Sequence, residues 1–312
     1  MTRATDREPL TVDGTIAVAN LHAQISALGG RGSVPGSAQT APVRPGVPDQ
    51  AALIDLLLLR GDVLGRIADC ERAAELAEQL VHDAPDSAAA WLARARVHAI
   101  FRRIIEALND LNAARRSGCD QATMNVERAA ILQAAGYYWH ALALFRSEAR
   151  QRPGFTTLSA LATLHADRGE VAAAEPLFAE ARCRYREVSP FPIALLDYRQ
   201  GLMWQKRGDL VAARDWFSVA HRRVPAYAPA LGHLAQVDAA LGAYEAAIGR
   251  LRLLMSSSDD PQYAASLACV LDAAGYRREA RRWRFRAAAR CAELKVRHPQ
   301  AFAHAECLQV TA

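Results

Sequence analysis

The densest chemistry in this 312-residue chain is a run of arginines: Arg277, Arg278, Arg281, Arg282, Arg284, Arg286 and Arg290. Arg278, Arg282 and Arg286 are spaced by four, which puts them on one helix face. Such a row can grip an acidic partner or nucleic-acid phosphates. It can also be the solvated end of a folded body, and that is the expectation here. Cys291, His298, His304 and Cys307 gather soft-metal ligands near the C-terminus. No tight turn brings two of them close in the usual zinc spacing, so no metal is expected. Asp197 and Asp238 fall among apolar residues, and His165 stands near the inner end of another helical pattern. Buried titratable groups can mark an active site. The Gly-rich segment, however, lacks the Gly-Lys-Ser/Thr of a phosphate loop, and Ser33 lacks the flanks of a nucleophile elbow. The expectation is a protein without catalysis, cofactor or small-molecule substrate.

Composition narrows what positions these groups. Half the chain is apolar (51%) and aromatics are few (7%), with abundant alanine, which favours closely packed helices. The net charge of +5 resides in the tail: from residue 262 onward nine Lys or Arg face Asp272, Glu279, Glu293 and Glu306. The remainder is near neutral, which argues against a nucleic-acid partner bound along the whole chain. Lysine occurs only at Lys206 and Lys295, the mark of an arginine- and alanine-favouring bacterial codon usage. The six cysteines are scattered, and buried, reduced thiols are expected of them. No apolar run approaches a membrane span, and Asp6, Glu8 and Asp13 spoil a signal peptide. A cytoplasmic protein with no membrane partner is expected.

Residues 1–28 hold one short helix, Thr15 to Leu28, with Ile16, Val18, Leu21, Ile25 and Leu28 roughly on one face. It is a candidate for docking on a partner or for folding back into the protein's own groove. Residues 29–50 carry Gly29, Gly30, Gly32, Pro35, Gly36, Pro42, Pro45, Gly46 and Pro48 and read as a flexible linker. From there to residue 290 the pattern is helical with short punctuation, and 291–312 form a capping segment. The fold class is all-α.

A repeated motif sets the architecture: Gly, then Ala five positions on, then a large apolar residue four further. It occurs at Gly136/Ala141/Phe145, Gly169/Ala174/Phe178, Gly208/Ala213/Phe217 and Gly242/Ala247/Leu251, and fades at Gly275/Ala280/Arg284. Successive glycines lie 33, 39, 34 and 33 residues apart, the long step holding an insertion at Ser189–Ile193. Weaker copies precede them at Ala73/Ala77 and at Trp91 with Ala107/Leu111. Glycine ends a first helix, alanine marks where two helices cross, and the Phe or Leu fills the gap to the next pair. Pro85, Pro153 and Pro225 stop second helices.

This period and pattern resemble the tetratricopeptide repeat family. The clearest units are 194–227 and 122–155; Trp91, Gly61 and Gly201 also match the family's first-helix positions. The resemblance implies a right-handed α-solenoid of about seven hairpins, whose first helices line a concave groove that binds a protein segment. Carried over by phase, it implies a row of Arg96, Thr123, Val126, Ala130 and Gln133, then Thr156, Ser159, Thr163 and Asp167. Leu195, Tyr198, Leu202, Gln205, His233, Gln236, Gln262 and Asp272 continue it. A clamp for acidic C-termini of the family's chaperone-binding kind needs paired Lys and Asn, and only Lys206 and Asn125 stand in the repeats. The implied function is a scaffold or adaptor holding an unidentified protein or peptide. The alternatives are an accessory subunit using convex or terminal surfaces, and a nucleic-acid-associated protein using Arg278, Arg282 and Arg286.

Overall fold

A computed structural model describes residues 9–30 and 46–303. Among these the structure is helical throughout. Helix α1 (Gly14–Gly30) is followed by seven hairpins. The first helices of the pairs are α2 (Val47–Leu64), α4 (Ala88–Ile100), α6 (Gln121–Ala134), α8 (Phe155–Asp167), α10 (Phe191–Lys206), α12 (Ala228–Ala240) and α14 (Pro261–Ala273). Their partners are α3 (Ile67–Asp83), α5 (Ile104–Arg116), α7 (Tyr138–Gln151), α9 (Val171–Arg184), α11 (Leu210–Arg223), α13 (Tyr244–Ser257) and α15 (Arg277–Arg297). A last turn, α16 (Pro299–Phe302), follows.

The motif residues do what their chemistry requires. Gly136, Gly169, Gly208, Gly242 and Gly275 all take φ between 77° and 90°, the left-handed turn that costs a Cβ-bearing residue about 1–2 kcal/mol. The second hairpin has Arg102 in that place, at φ 56°, and its guanidinium donates to the Ala134 carbonyl of the next hairpin at 3.0 Å. That substitution is why the sequence signature is weak there. Ala141, Ala174, Ala213, Ala247 and Ala280 are fully enclosed, as are Phe178 and Phe217. Asp120 and Asp209 accept backbone N–H bonds from Thr123 and Ala212, capping the starts of α6 and α11.

Gly201 matches for a steric reason. A Cβ there would lie 2.5 Å from the Phe217 ring across the α10–α11 crossing. Gly201→Ala is therefore expected to lower stability by about 1–3 kcal/mol, read by urea unfolding, because neither helix can withdraw without opening the joint. A cost near zero would show that the crossing is loosely packed.

Two boundaries differ from the sequence expectation. Helix α1 continues through Gly29 and Gly30, and α2 starts at Val47, inside the expected linker. Pro48 suits the first turn of α2, where its missing N–H has no partner to lose. Residues 31–45 of that linker, including Ser33, lie outside the described residues. The insertion is divided between the loop before α10 and extra length in α10 itself, which has 16 residues where α8 and α12 have 13.

The array curves until its ends meet. The Ser258 hydroxyl donates to the Gly65 carbonyl, and the Asp259 carboxylate accepts from the backbone N–H groups of Ile67 (2.6 Å) and Ala68 (3.2 Å). Arg290 donates to Asp259 at 3.1 Å, and Arg297 to Glu71 at 2.7 Å. His298 stacks on Phe101 with centroids 3.8 Å apart. Val63 and Leu64 of α2 pack with Ala194, Tyr227 and Ala230 from the fifth and sixth hairpins. Helix α1 lays Leu21 and Ile25 on the first hairpin. Its first turn abuts Arg223 and Val224, and the Val12 N–H donates to the Val188 carbonyl. Of the two fates expected for this helix, it folds back, lying across the junction of the first hairpin with the fifth and sixth, where Val18 packs with Val63, Ala194 and Val224.

Candidate binding lumen

Because the ends meet, the concave face encloses a lumen. It includes a cavity of about 640 Å³ between α6, α8 and α10, walled by Phe155, Pro192 and Leu195 among others. Through shared walls at Ala130, Ala134 and Leu195 it continues into spaces of about 420, 540 and 230 Å³ along α2. Helix α2 is thus both the first hairpin's inner helix and one wall of the groove opposite α10.

Gln133, Ser159 and Thr163 line the wide cavity, as do Thr156, Asp167 and Leu195; Arg96 and Ala130 line the 420 Å³ space, and Gln262 the 540 Å³ space. Their side chains are largely engaged within the wall. Ser159 donates its hydroxyl to the Phe155 carbonyl (2.6 Å) and Thr163 to the Ser159 carbonyl (2.8 Å), within α8. Both hydroxyls face the cavity as acceptors. Arg96 is held between Asp55 (2.8 Å) and Glu127 (2.6 Å). Gln133 and Lys206 both donate to Asp167, at 2.7 and 2.8 Å, tying three first helices together. Asn125 donates to Glu148. Lys206 and Asn125 are therefore engaged in separate bonds and form no clamp.

Tyr198, Leu202, Gln205 and His233 are displaced from the expected row into the wall. The Tyr198 ring sits within 5.7 Å of the Phe217, Tyr227 and His233 rings, and burial pushes its phenol up to about 12. The His233 Nδ1 meets the Gln205 amide oxygen at 2.9 Å, and burial pushes its imidazole down to about 4. Leu202 packs in the same cluster. The reason is helical phase: the inward line of α10 runs Pro192, Leu195, Arg199, one residue off the line through Tyr198. Gln236 is exposed, beside Ser266, and Asp272 pairs with Arg284. Thr123 and Val126 are half-buried on α6.

Arg199 is the lumen residue that phase alone missed. Among the described residues it has no hydrogen bond and no ion pair within 4 Å. Across from it is Asp62 on α2, whose carboxyl the surrounding packed protein raises above the usual range, with the charge of Arg199 pulling the other way. The signal for Arg199 was its place four residues after Leu195; Asp62 had none.

The aspartates and histidine that raised a catalytic question are structural. Asp197 is fully buried and accepts from Arg182 (2.5 Å) and Arg223 (3.1 Å). Asp238 accepts from Arg214 (2.7 Å) and Arg250 (2.9 Å). His165 bonds Glu170. No cluster of metal-ligating side chains occurs among the described residues; His304 and Cys307 lie outside them. Cys70 and Cys291 are buried, Cys119 is half-buried, and Cys183 and Cys269 are exposed, against the expectation of buried thiols; Cys291 is disulfide-bonded, against the expectation of reduced ones. Arg278 and Arg282 project from the outer side of α15, and Arg286 lies over the Trp283 ring at 4.7 Å.

Stacked two-helix units closed by Gly, Ala and Phe define an α-solenoid of helical hairpins. More narrowly, the fold is tetratricopeptide-like. It resembles the Cut9–Hcn1 hetero-tetramer of the APC/C (TM-score 0.58, 15% identity, 96% of this chain and 57% of that one). It also resembles the human IFIT1 dimer with m7Gppp-AAAA (TM-score 0.62, 14% identity, 90% and 64%) and yeast Tom70 (TM-score 0.52, 12% identity, 93% and 56%). The chain spans about three fifths of the length of these proteins, and at such identities the likeness is one of fold. No family model and no curated protein matches it. No described helix is long and apolar enough to cross a membrane.

Proposed function

We propose that the protein is a non-enzymatic scaffold that holds an extended segment of a partner protein in its lumen, in the cytoplasm. The observation that carries this is the wide cavity: apolar walls at Phe155, Pro192 and Leu195 beside the Arg199 guanidinium, which among the described residues has no ion pair within 4 Å, with acceptor hydroxyls opposite. That set suits a segment whose carboxylate meets Arg199, whose apolar neighbour fills the space by Phe155, and whose backbone N–H groups reach Ser159 and Thr163. Arrays of extended peptides, probed with the full chain, test it. Acidic-apolar sequences are expected to bind, and Arg199→Glu to weaken them at least tenfold, since a desolvated charge pair is lost and a like charge faces the ligand. Binding untouched by Arg199→Glu would move the contact elsewhere.

A second reading, an accessory subunit using the convex side, is favoured by one observation. Tyr137 and Trp139 stand 58% and 71% exposed at the α6–α7 turn, with the Arg168 guanidinium 3.7 Å over the Trp139 ring. Exposed Trp, Tyr and Arg are the residues that dominate interface energetics.

A further inference from the structure

The last helix carries a face that the array does not use. Helix α15 has 21 residues, against 14 for α7, α9, α11 and α13. Ala280, Ala287, Cys291 and Leu294 turn inward. On the outside Phe285 is 74% and Val296 84% exposed. Eleven residues separate them, so their directions differ by only about 20° over roughly 16 Å of helix. Ala289 and Ala292, both exposed, lie between them on the same side. The apolar line is bordered by Arg281 and Lys295 on one flank and by Arg282, Arg286 and Glu293, the last paired with Arg290, on the other, with Arg277 and Arg278 at its head.

Two populations of cation separate here. Arg284 and Arg290 face the body and pair with Asp272, and with Asp259, Glu71 and Glu293. Arg277, Arg278, Arg281, Arg282 and Lys295 make no hydrogen bond or ion pair among the described residues. Capping accounts for part of this: in register with the preceding hairpin, Arg281 and Arg284 replace the stacking residues Ile248 and Leu251, which stops an eighth hairpin from docking. Capping does not account for Phe285, which stands where the preceding hairpin has Arg252, nor for Val296. A surface needing only solubility would be polar at both.

We propose that this outer face of α15 docks on an anionic lipid bilayer. A narrow apolar line along one helix, flanked by cations most of which make no ion pair among the described residues, fits a planar boundary, where Phe285 and Val296 enter the acyl edge while the guanidinium groups meet headgroups. A nucleic acid would satisfy the arginines but leave Val296 and the alanines in water. This inference does not depend on what the lumen holds.

Co-sedimentation of the full chain with vesicles tests it. Phosphatidylcholine vesicles with about one third phosphatidylserine are expected to bind at least tenfold better than phosphatidylcholine alone, with loss between about 0.1 and 0.5 M salt. Arg278→Gln with Arg282→Gln should weaken partitioning about tenfold, and Phe285→Ser with Val296→Ser several-fold. All four positions are exposed, and circular dichroism checks that the variants fold. Equal or absent binding to the two vesicle types overturns the proposal. So does anionic binding that ignores the Phe285→Ser/Val296→Ser change and is matched by a simple oligonucleotide, which would mark a polyanion site.

Discussion

Replacing Asp197 by Ala is expected to destabilise the protein by about 3–5 kcal/mol, the cost of breaking a buried ion pair from one side. The carboxylate is fully buried where three helices meet: α10 supplies it, α9 brings Arg182 and α11 brings Arg223. These guanidinium groups are themselves only 17% and 7% exposed, so water cannot readily take the place of the lost oxygens. Asp197→Asn, which keeps the shape and one acceptor, should lose less. Asp238 repeats the arrangement one hairpin on, but its partners Arg214 and Arg250 are 46% and 27% exposed. Asp238→Ala is therefore expected to cost less than Asp197→Ala. Because each hairpin of a solenoid touches mainly its neighbours, the damage should be local. Hydrogen exchange should quicken in α9–α11 and stay unchanged in α14. Urea unfolding within about 1 kcal/mol of wild type, or the reverse order of the two aspartates, contradicts this account.

The hairpins were legible in the sequence because their determinants are local. Gly136 to Leu251 announce themselves through a turn that needs a positive φ and a crossing that needs a small side chain, both fixed by residues close in the chain. The second hairpin was harder to read because Arg102 occupies the glycine place and is held by a bond to the following hairpin. The groove was less legible than the fold. Placing a side chain on a helix face by counting tolerates no error of one residue, and the insertion before α10 shifts its phase. Tyr198 was thereby expected in the lumen and Arg199 was not. The Ser159 and Thr163 hydroxyls turn their hydrogens back to the carbonyls one turn earlier, a local bond that leaves them only as acceptors in the groove. The meeting of the two ends left no mark at all. Asp259 and Ile67 are 192 positions apart, and neither residue type stands out in its own segment.

That closure is the feature most open to a decisive measurement, through Gly65. Its φ is 62°, and a Cβ there would lie 2.7 Å from both the Ser258 Oγ and the Tyr263 ring, groups of the far end of the array. Gly136 offers the control: its φ is 84°, but a Cβ there meets nothing within 4 Å. Gly136→Ala should cost about 1–2 kcal/mol, the strain of the left-handed turn alone. Gly65→Ala adds an overpacking cost of about 1–3 kcal/mol, for a total of roughly 2–5 kcal/mol. Its relief is for the first hairpin to part from α14. Small-angle scattering should then report a larger radius of gyration for Gly65→Ala than for Gly136→Ala, and hydrogen exchange should quicken in α2 and α3. Equal costs and equal radii would mean that the ends touch without holding each other. If they do hold, α2 is a wall that can move, and the width of the lumen opposite Arg199 is set by contacts between the two ends of the chain.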